Sequence, residues 1–485
     1  MALVFDNTYA RLPEHFHARQ QPMRMPAPAL VLLNEPLARS LGLDPAHHSR
    51  DALAAMLSGN ALPEGAEPVA MVYAGHQFGS WVPRLGDGRA LLLGEVLDDR
   101  GRRLDIHLKG AGPTPFSRGG DGRAALGPVL REYIVSEAMA RLGIPTTRSL
   151  AALTTGDRVA RETPLPGAIL VRVAESHLRV GTFQYFAARR DTEALRQLAD
   201  YAIARLYPEA AQAPERYKAF LEAVIARQAR LVARWMGVGF IHGVMNTDNT
   251  SIAGETLDYG PCAFMDAFDL GAVFSSIDAA GRYAYGNQPG IVYWNLARLA
   301  QALLPLLAPD PDAAAREAQA AIDLFPGLYE TAWLEEMRRK LGLSAPDDGD
   351  GQLVRDLFSI MHDHGADFTL TFRRLADAVA APGSANDPAL EPGFEPWLAR
   401  WRARLQREGA DAAAARQAMN RANPLYIPRN HLVEAALEAA HADDYAPLHA
   451  LIAILAEPFD EQPNAAEYAL PPRPEQIVRA TFCGT

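Results

Sequence analysis

The sequence has only two cysteines in 485 residues, Cys262 and Cys483. So few cysteines exclude the disulfide framework that stabilises many small secreted domains. The sequence also lacks any run of about 18 uncharged apolar residues, the length that a transmembrane helix needs. Its N-terminal segment has no basic stretch followed by an apolar stretch, which argues against a secretory signal. We therefore expect a cytoplasmic protein that has no membrane partner.

Positive charge is scarce as well. The 47 Lys and Arg residues are outnumbered by 58 Asp and Glu residues, and the formal net charge is −11. This balance argues against nucleic acid or an anionic membrane as the main partner, although it leaves room for a local basic pocket. Apolar residues at 49% and charged residues at 22% are ordinary proportions for a globular protein. The length suggests two or three compact units.

Apolar-rich runs that suit β-strands occupy the first part of the chain. Residues 89–98 and 102–110 are two such runs separated by a short turn, which predicts a β-hairpin, and residues 167–175 predict another strand. A helix is predicted over 128–142, since a Pro in its first turn and a Gly after its end are typical helix boundaries.

Helical patterns dominate after about residue 190. In the segment 215–237 apolar residues recur at helical spacing, and Gly237 is the predicted end of that helix. A strand-rich region followed by a larger helical one is the order of a protein-kinase-like, bilobal α+β fold. The predicted units are an N-terminal extension over 1–60, a kinase-like N-terminal lobe with the nucleotide-binding loop over 61–185, and a helical C-terminal lobe with a C-terminal extension over 186–485.

Residues 242–252 read HGVMNTDNTSI and match part of a kinase catalytic loop. His242 and Asn249 stand seven positions apart, as in the pattern H-x-D-x-x-x-x-N. The third position of that pattern should be the Asp that accepts the substrate hydroxyl proton, but here it is Val244. An acid remains at Asp248, which either accepts that proton from another direction or serves as a turn residue. From spacing alone both interpretations stay open.

Further residues fit a kinase-like site. Lys109 ends a predicted strand, where a kinase-like lobe places a Lys on nucleotide phosphates, and Glu132 on the next helix is its candidate partner. Asp258 stands nine residues after Asn249, in DYGP, a Tyr-bearing version of the D-F-G element. Asn249 and Asp258 are hard oxygen ligands at the spacing that a site for one or two Mg²⁺ ions needs. Each element is common by chance, but four in this order are more specific.

Four long segments carry the most specific signal. They are YAGHQFGSWVPRLGDGRALLLGE, DIHLKGAGPTPFSRGGDGRAALGPVLREYIVSEAM, RVAESHLRVGTFQYF and GFIHGVMNTDNTSIAGETLDYGPCAFMD. These segments resemble the selenoprotein O family, also called the YdiU family, of pseudokinase-like protein adenylyltransferases. The resemblance extends over nearly the whole chain, and it includes NQPGIVYWNLARLA and NPLYIPRNHLVEAAL in the C-terminal half.

The resemblance implies a kinase-like fold that binds ATP in a reversed orientation, with the γ-phosphate buried and the α-phosphate facing the acceptor. The implied reaction transfers AMP to Ser, Thr or Tyr hydroxyls of acceptor proteins and releases pyrophosphate, with Mg²⁺ or Mn²⁺ as the cofactor. Position 244 then need not be acidic, because the reacting phosphorus has moved and the base must move with it.

The family's site residues transfer by motif onto this sequence. Asp248 is the implied proton acceptor, and Asn249 and Asp258 are the implied metal ligands. Lys109, with Glu132 as its partner, is implied to bind phosphate. The remaining residues implied to contact the nucleotide or its phosphates are Gly86, Gly88, Arg89, Asp121, Gly122, Arg172 and Arg179, together with Asp258 itself.

Two rival functions stay open beside this one. Kinase-type phosphotransfer is one, and the absence of an acid at Val244 weighs against it. A non-catalytic nucleotide-sensing scaffold is the other, and the intact set of Lys109, Glu132, Asn249 and Asp258 weighs against it.

The two cysteines also leave two alternatives. Cys483 lies close to the C-terminus, where eukaryotic members of the family carry a selenocysteine. It either forms a regulatory disulfide with Cys262 or remains, like Cys262, a free thiol.

Overall fold

The structure is a computed structural model that describes residues 3–380, 393–409 and 411–482. The β-strands in these ranges are β1 (His17–Arg19), β2 (Ala29–Leu33), β3 (Val69–Met71), β4 (Gly75–Gln77), β5 (Ser80–Val82), β6 (Ala90–Leu97), β7 (Arg103–Lys109), β8 (Ala124–Ala125), β9 (Arg148–Val159), β10 (Leu165–Ala174), β11 (Phe240–Ile241) and β12 (Ala263–Phe264). The α-helices are α1 (Glu35–Ser40), α2 (Arg50–Leu57), α3 (Leu126–Arg141), α4 (Val180–Ala188), α5 (Thr192–Leu206), α6 (Arg216–Val238), α7 (Gln288–Leu307), α8 (Pro311–Ile322), α9 (Phe325–Lys340), α10 (Asp350–Asp363), α11 (Phe368–Ala380), α12 (Glu395–Arg407), α13 (Ala412–Ala422), α14 (Asn430–His441), α15 (Ala446–Leu455) and α16 (Ala466–Ala469).

The chain has an α+β fold in which one large sheet precedes a helical region. The sheet has eight strands in the order β1-β3-β6-β7-β10-β9-β2, with β8 beside β10, and neighbouring strands are antiparallel. The predicted hairpin is confirmed as β6 and β7, and the strand predicted over 167–175 is β10. The first strands of the chain, β1 and β2, lie at the two edges of this sheet.

The pairing of β7 with β10 places two basic side chains on one face of the sheet. Lys109 pairs with Leu170, and His107 pairs with Arg172. Because alternate residues of a strand face the same side, Lys109 and Arg172 are diagonal neighbours on that face. Helix α3 packs against β9 and β10 and carries Glu132, so it brings a carboxylate to the two cations.

Helix α6 shows one difference from the prediction. Its apolar stripe is buried as expected, but the helix continues through Gly237 and ends at Val238. Gly239 has a left-handed backbone, with φ 71°, and its N–H bonds to the Trp235 carbonyl. The prediction that Gly237 ends the helix was therefore wrong: a second glycine two residues later supplies the left-handed cap.

Three apolar clusters form the core of the described residues. The largest lies between the sheet and helices α4 to α7, and a second joins helices α9 to α13. The third packs α14 and α15 against α3 and the sheet, so that the C-terminal helices support the helix that carries Glu132. Among the described residues, no helix is both long enough and apolar enough to cross a membrane.

Candidate active site

A buried group of two cations and two carboxylates forms the centre of the site. Lys109 Nζ donates to Glu132 Oε2 at 2.6 Å and contacts Asp258 Oδ1 at 3.3 Å. Arg172 Nη2 donates to Glu132 Oε2 at 2.9 Å and lies 3.6 Å from Asp258 Oδ1. The structure therefore brings together four residues that are distant in sequence, and Glu132 fixes both cations.

The charges of this group hold both carboxylates in the ionised form. Burial alone would raise the pKa of Glu132, but Arg172 and Lys109 outweigh it and lower that pKa below its usual value. Burial also opposes ionisation of Asp258, whereas Lys109, Arg172 and Arg89 hold its pKa far below the usual range. Asp258 therefore carries a negative charge at physiological pH, which a metal ligand requires.

Asp258 is also distinguished by its backbone and its exposure. Its φ is 68°, in the left-handed region that non-glycine residues seldom occupy. Its side chain is 23% exposed, whereas that of Lys109 is 5% exposed. The carboxylate thus lies at the open side of the cluster, where a ligand can reach it.

Asp248 lies in a short 3₁₀ turn, Thr247–Asn249, and is 7% exposed. Its Oδ2 accepts a hydrogen bond from Gln77 Nε2 at 3.1 Å, while its buried Oδ1 has no hydrogen-bond partner. Burial raises the pKa of Asp248 to about 6, with a smaller opposing effect from Gln77. A buried carboxyl with an unused oxygen and a pKa near neutrality has the properties of a general base.

Asn249 is the second candidate metal ligand. Its Nδ2 donates to the Val244 carbonyl at 3.0 Å, which fixes the amide and leaves its oxygen as the atom suited to a cation. The described residues contain no group of three or more His, Cys, Asp or Glu side chains arranged to hold a metal. Asn249 and Asp258 offer an amide oxygen and a carboxylate, the oxygen types that Mg²⁺ and Mn²⁺ bind.

Gly86 and Gly88 belong to a turn that packs closely on the loop after β7. Gly86 has φ 80°, and a Cβ there would overlap the Phe116 ring. A Cβ on Gly88 would lie 2.9 Å from the Phe116 carbonyl oxygen. Both positions therefore require glycine for backbone packing. Arg89 follows them and acts on Asp258 through its charge.

Arg179 is held beside this turn by a residue that the sequence did not reveal, Asp87. Arg179 Nη1 donates to Asp87 Oδ1 at 3.4 Å, and its guanidinium lies 4.2 Å from the centre of the Tyr73 ring. Arg179 Nε is buried and has no hydrogen-bond partner. Asp87 also accepts from His107 Nε2 at 3.2 Å. Arg179 thus has one buried donor that no group among the described residues satisfies.

Asp121 and Gly122 lie in the loop after β7, and their contacts are with that loop and with the turn between β9 and β10. Asp121 Oδ2 accepts from Arg161 Nη1 at 2.8 Å, and its side chain is 41% exposed. Gly122 has φ 68° and lies so close to Gly112 that a Cβ would overlap it. Within the described parts of the chain, no hydrogen bond or ion pair joins Asp121 or Gly122 to the Lys109 cluster.

Sequence reasoning did not assign a site role to Tyr73, Gln77 or Asp87. Gln77 is on the short β4–β5 hairpin and reaches Asp248 across 171 positions of sequence. A signal was present, because all three residues stand inside or next to the motifs YAGHQFG and LGDGR.

The first cysteine lies on the segment after Asp258. Cys262 is buried, and burial raises the pKa of its thiol to about 12. Cys483, its partner in the disulfide alternative, lies outside the described residues. Thr481 Oγ1 donates to the Pro261 carbonyl at 2.6 Å, so the end of the described chain contacts the neighbour of Cys262.

Comparison with known proteins gives consistent matches. Residues 1–456 match the family model described as "Protein adenylyltransferase SelO". A protein of Rhizobium etli (strain CIAT 652) named "Protein nucleotidyltransferase YdiU" is 58% identical over 489 residues, which cover 100% of this chain and 98% of that relative. Proteins of the same name from Bradyrhizobium sp. (strain ORS 278) and Rhodopseudomonas palustris (strain BisB18) are 60% and 59% identical, with 99% of each chain covered.

Proposed function

As a member of the SelO family of protein adenylyltransferases, this chain is a nucleotidyltransferase, and we propose that it transfers AMP from ATP to Ser, Thr or Tyr hydroxyls of other proteins. The observation that carries this proposal is the buried Asp248 carboxyl, which has one oxygen without a hydrogen-bond partner and lies near enough to Asp258 of the Lys109 cluster to be influenced by its charge. A kinase-type base is absent because Val244 is apolar and buried, while a carboxyl with general-base properties lies four residues further on. The acceptor proteins would be recognised elsewhere on the surface.

We propose that ATP binds in the reversed orientation. Lys109 and Arg172 are deeply buried cations that share the Glu132 carboxylate, and a terminal phosphate placed on them would be the γ-phosphate. Arg179 keeps an unused buried donor for the same phosphate chain. The α-phosphate would then face Asp248, which is where an acceptor hydroxyl must lose its proton.

The reaction would proceed by in-line displacement at the α-phosphorus. Asp248 accepts the proton of the acceptor hydroxyl, the hydroxyl oxygen forms a bond to the α-phosphorus, and the bond between that phosphorus and the bridging oxygen breaks. Pyrophosphate leaves with the electron pair of that bond, and Lys109 and Arg172 stabilise its charge. Mg²⁺ or Mn²⁺, when bound through Asn249 and Asp258, would neutralise part of the polyphosphate charge.

The other predicted site residues have supporting roles in this proposal. Glu132 orients Lys109 and Arg172, as its hydrogen bonds to both indicate. The remaining residues, which would shape the nucleotide pocket through backbone and charge, are Gly86, Gly88, Arg89, Asp121 and Gly122.

We further propose that the α+β architecture is a kinase-like pair of lobes. Strands β3 to β10 and α3 lie within residues 61–185, which would form the first lobe. Helices α5 to α16 lie within 186–485, which would form the second. Residues 1–60 would be an extension that adds β1 and β2 to the two edges of the first lobe's sheet.

The test is mass spectrometry of the protein, and of a proteome extract, after incubation with ATP and Mg²⁺ or Mn²⁺. Covalent AMP on Ser, Thr or Tyr supports the proposal. Phosphate adducts without AMP would instead indicate kinase-type transfer, and nucleotide binding without any adduct would indicate a scaffold.

A further inference from the structure

A second basic cavity lies outside the proposed nucleotide site. Its volume is about 890 Å³, and it is formed by the β6–β7 turn, the segment before β9, the end of β10, helix α6 and residues 253–255. The arginines that line it are Arg100, Arg102, Arg148, Arg227, Arg230 and Arg234. Lys109, Glu132, Arg172, Asp248 and Asp258 are not part of its lining.

The charge of several of these arginines is not neutralised by close carboxylates. Arg227 Nη2 donates to the Leu206 carbonyl at 2.8 Å, and Arg234 Nη1 donates to the Gly143 carbonyl at 2.6 Å. These neutral acceptors fix the two side chains but leave their charge in place. Arg100 and Arg230 are exposed, and no hydrogen bond or ion pair holds either guanidinium within the described residues.

Closer carboxylate partners exist for the other two arginines. Arg102 is 2.8 Å from Asp98, and Arg148 is 2.7 Å from Glu137. The nearest carboxylates of Arg227 and Arg234 are 3.8 and 3.6 Å away. These two arginines therefore have only long ion pairs, and Arg100 and Arg230 have none within the described residues.

Of the two carboxyl groups that line the cavity, Glu175 lies 3.8 Å from Arg227 and opposes its charge, whereas Glu255 contributes less. The backbone N–H of Glu175 donates to Glu255 Oε2 at 3.0 Å, which holds the two residues together. Burial and the adjacent Glu175 charge raise the pKa of Glu255 well above its usual value, which favours its neutral form.

A smaller cavity continues the basic surface. Its volume is about 260 Å³, and it shares Gly143, Ile144 and Arg234 with the larger one. It adds Arg141, Arg339 and Arg421 to the lining. In a chain with a net charge of −11, this arrangement is a concentrated positive region.

We propose that the larger cavity binds a small phosphate-bearing polyanion, at a site separate from the one that holds the reacting nucleotide. Guanidinium groups present paired donors that match phosphate oxygens, and the carbonyl contacts of Arg227 and Arg234 pre-organise two of them. The volume is within the range of about 300–1,000 Å³ that small-ligand sites occupy. The ligand chemistry is a short polyphosphate chain, either free or as part of a nucleotide. The proposal does not depend on the AMP transfer or on the ATP orientation proposed for the other site.

The test is calorimetric titration of the full-length chain with inorganic tripolyphosphate. The variant Arg100→Glu/Arg230→Glu changes two exposed residues that hold no other group in place, so we expect it to fold normally. The matched control, Arg316→Glu/Arg479→Glu, makes the same change of net charge at two exposed arginines that do not line the cavity. We expect the native chain and the control to bind one more tripolyphosphate than the cavity variant does. The same three proteins are titrated with ATP. A difference in ATP stoichiometry between the native chain and the cavity variant would indicate a nucleotide ligand, and a difference with tripolyphosphate alone would indicate a free polyphosphate.

The cluster that contains Lys109 and Arg172 also attracts phosphate. The measured quantity is therefore the difference in tripolyphosphate stoichiometry between the three proteins. If the proposed nucleotide site failed to bind, the stoichiometry of all three proteins would fall equally and the difference would remain. Equal stoichiometry and affinity in the native chain and the cavity variant would overturn the proposal. So would an equal loss in the control, or equally tight binding of citrate, because these would indicate general charge attraction.

Discussion

Asp248 illustrates how a single buried side chain determines the chemistry available at the site. One of its carboxyl oxygens is held by Gln77, and the other is buried without a partner. A buried oxygen without a hydrogen bond costs free energy in a folded protein. It is therefore expected where a substrate group donates the missing hydrogen bond. An acceptor hydroxyl would supply the missing donor.

The first prediction concerns Asp248→Asn. Asn has nearly the same shape and retains an oxygen for Gln77, but it does not accept a proton. We expect AMP transfer to fall by about 100-fold or more, while ATP binding measured by calorimetry stays within about twofold. A parallel loss of ATP affinity would contradict the assignment of Asp248 as the base.

The second prediction concerns pH. Since burial raises the pKa of Asp248 to about 6, the rate of transfer should rise with pH through about 6 and then level off.

The effect of Asp248 on stability has the opposite sign: a carboxyl whose folded pKa is raised loses stabilisation as pH rises through that value. Asp248→Asn should therefore gain up to about 3 kcal/mol of unfolding free energy relative to the native chain above pH 6. Urea unfolding at pH 5 and pH 8 measures both proteins, and an equal difference at the two pH values would contradict this account.

The third prediction concerns Asp258→Asn. The left-handed backbone at this position suits Asn better than Ala, so Asn removes the charge with the least backbone strain. We expect a loss of transfer of about 100-fold or more that excess Mg²⁺ or Mn²⁺ only partly restores. Asp363→Asn, at the exposed end of α10, is the matched control and should keep native activity. Unchanged dependence on metal concentration in Asp258→Asn would rule out its role as a ligand.

At the scale of elements, the β4–β5 hairpin packs on the Thr247–Asn249 turn that carries Asp248. Its Gly75 faces Asp248 so closely that a Cβ would lie 2.7 Å from Oδ1. The next residue, His76, donates its backbone N–H to Thr247 Oγ1 at 2.7 Å, and Gln77 donates to Asp248. Three successive residues of the hairpin therefore contact the Thr247–Asn249 turn.

The fourth prediction follows from this contact. Gly75→Ala should displace the Asp248 carboxylate and lower kcat by about tenfold or more, with little change in ATP affinity. Gly290→Ala is the control, because a Cβ at Gly290 in α7 meets no atom within 4 Å. Steady-state kinetics of both variants provide the comparison, and native kcat in Gly75→Ala would show that the hairpin does not position the base.

The elements that sequence predicts well here are those with strong local signals. Hairpin β6–β7, strand β10 and helix α3 appear within a few residues of their predicted bounds, because apolar periodicity and turn residues determine them locally. The end of α6 was missed, since Gly237 and Gly239 are both able to cap a helix and only packing distinguishes them.

The site was predictable as a set of motif residues, but not as a set of contacts. The pairing of Lys109 with Glu132 was anticipated, and the structure adds Arg172 as a second cation on the same carboxylate. The contacts of Gln77 with Asp248 and of Asp87 with Arg179 span long stretches of chain and leave no periodic signal. A single sequence identifies such residue types without their partners.

At the scale of the whole molecule, one arginine joins segments from distant parts of the chain. Arg429 is fully buried, its Nη1 is 2.5 Å from Asp266 and 2.7 Å from Asp367, and its Nη2 donates to the Ala469 carbonyl at 2.8 Å. Asp266 follows β12 and Asp367 precedes α11. The C-terminal helices are therefore fixed to the region that follows Asp258 and β12.

The fifth prediction is that Arg429→Ala lowers the free energy of unfolding by about 3–5 kcal/mol, because it leaves two partly buried carboxylates without their cation. Arg473→Ala removes an exposed arginine whose ion pair with Glu475 is 3.8 Å long, and it should change stability by less than about 0.5 kcal/mol. Urea denaturation of the two variants is the measurement. Equal stabilities would contradict the structural role of Arg429.

A disulfide and two free thiols stay the two alternatives for Cys262 and Cys483. Alkylation of the oxidised and denatured protein followed by mass spectrometry separates the alternatives: two alkylated thiols indicate free cysteines, and none indicates the disulfide.

The most direct measurement of the central claim is incubation with Mg²⁺ and ATP labelled at either the α- or the γ-phosphate, with Asp248→Asn in parallel. The account predicts that α-label enters protein, that γ-label leaves as pyrophosphate, and that Asp248→Asn transfers neither label. Transfer of γ-label to protein would place the nucleotide in the ordinary kinase orientation and would contradict the assignment of Asp248 as the base.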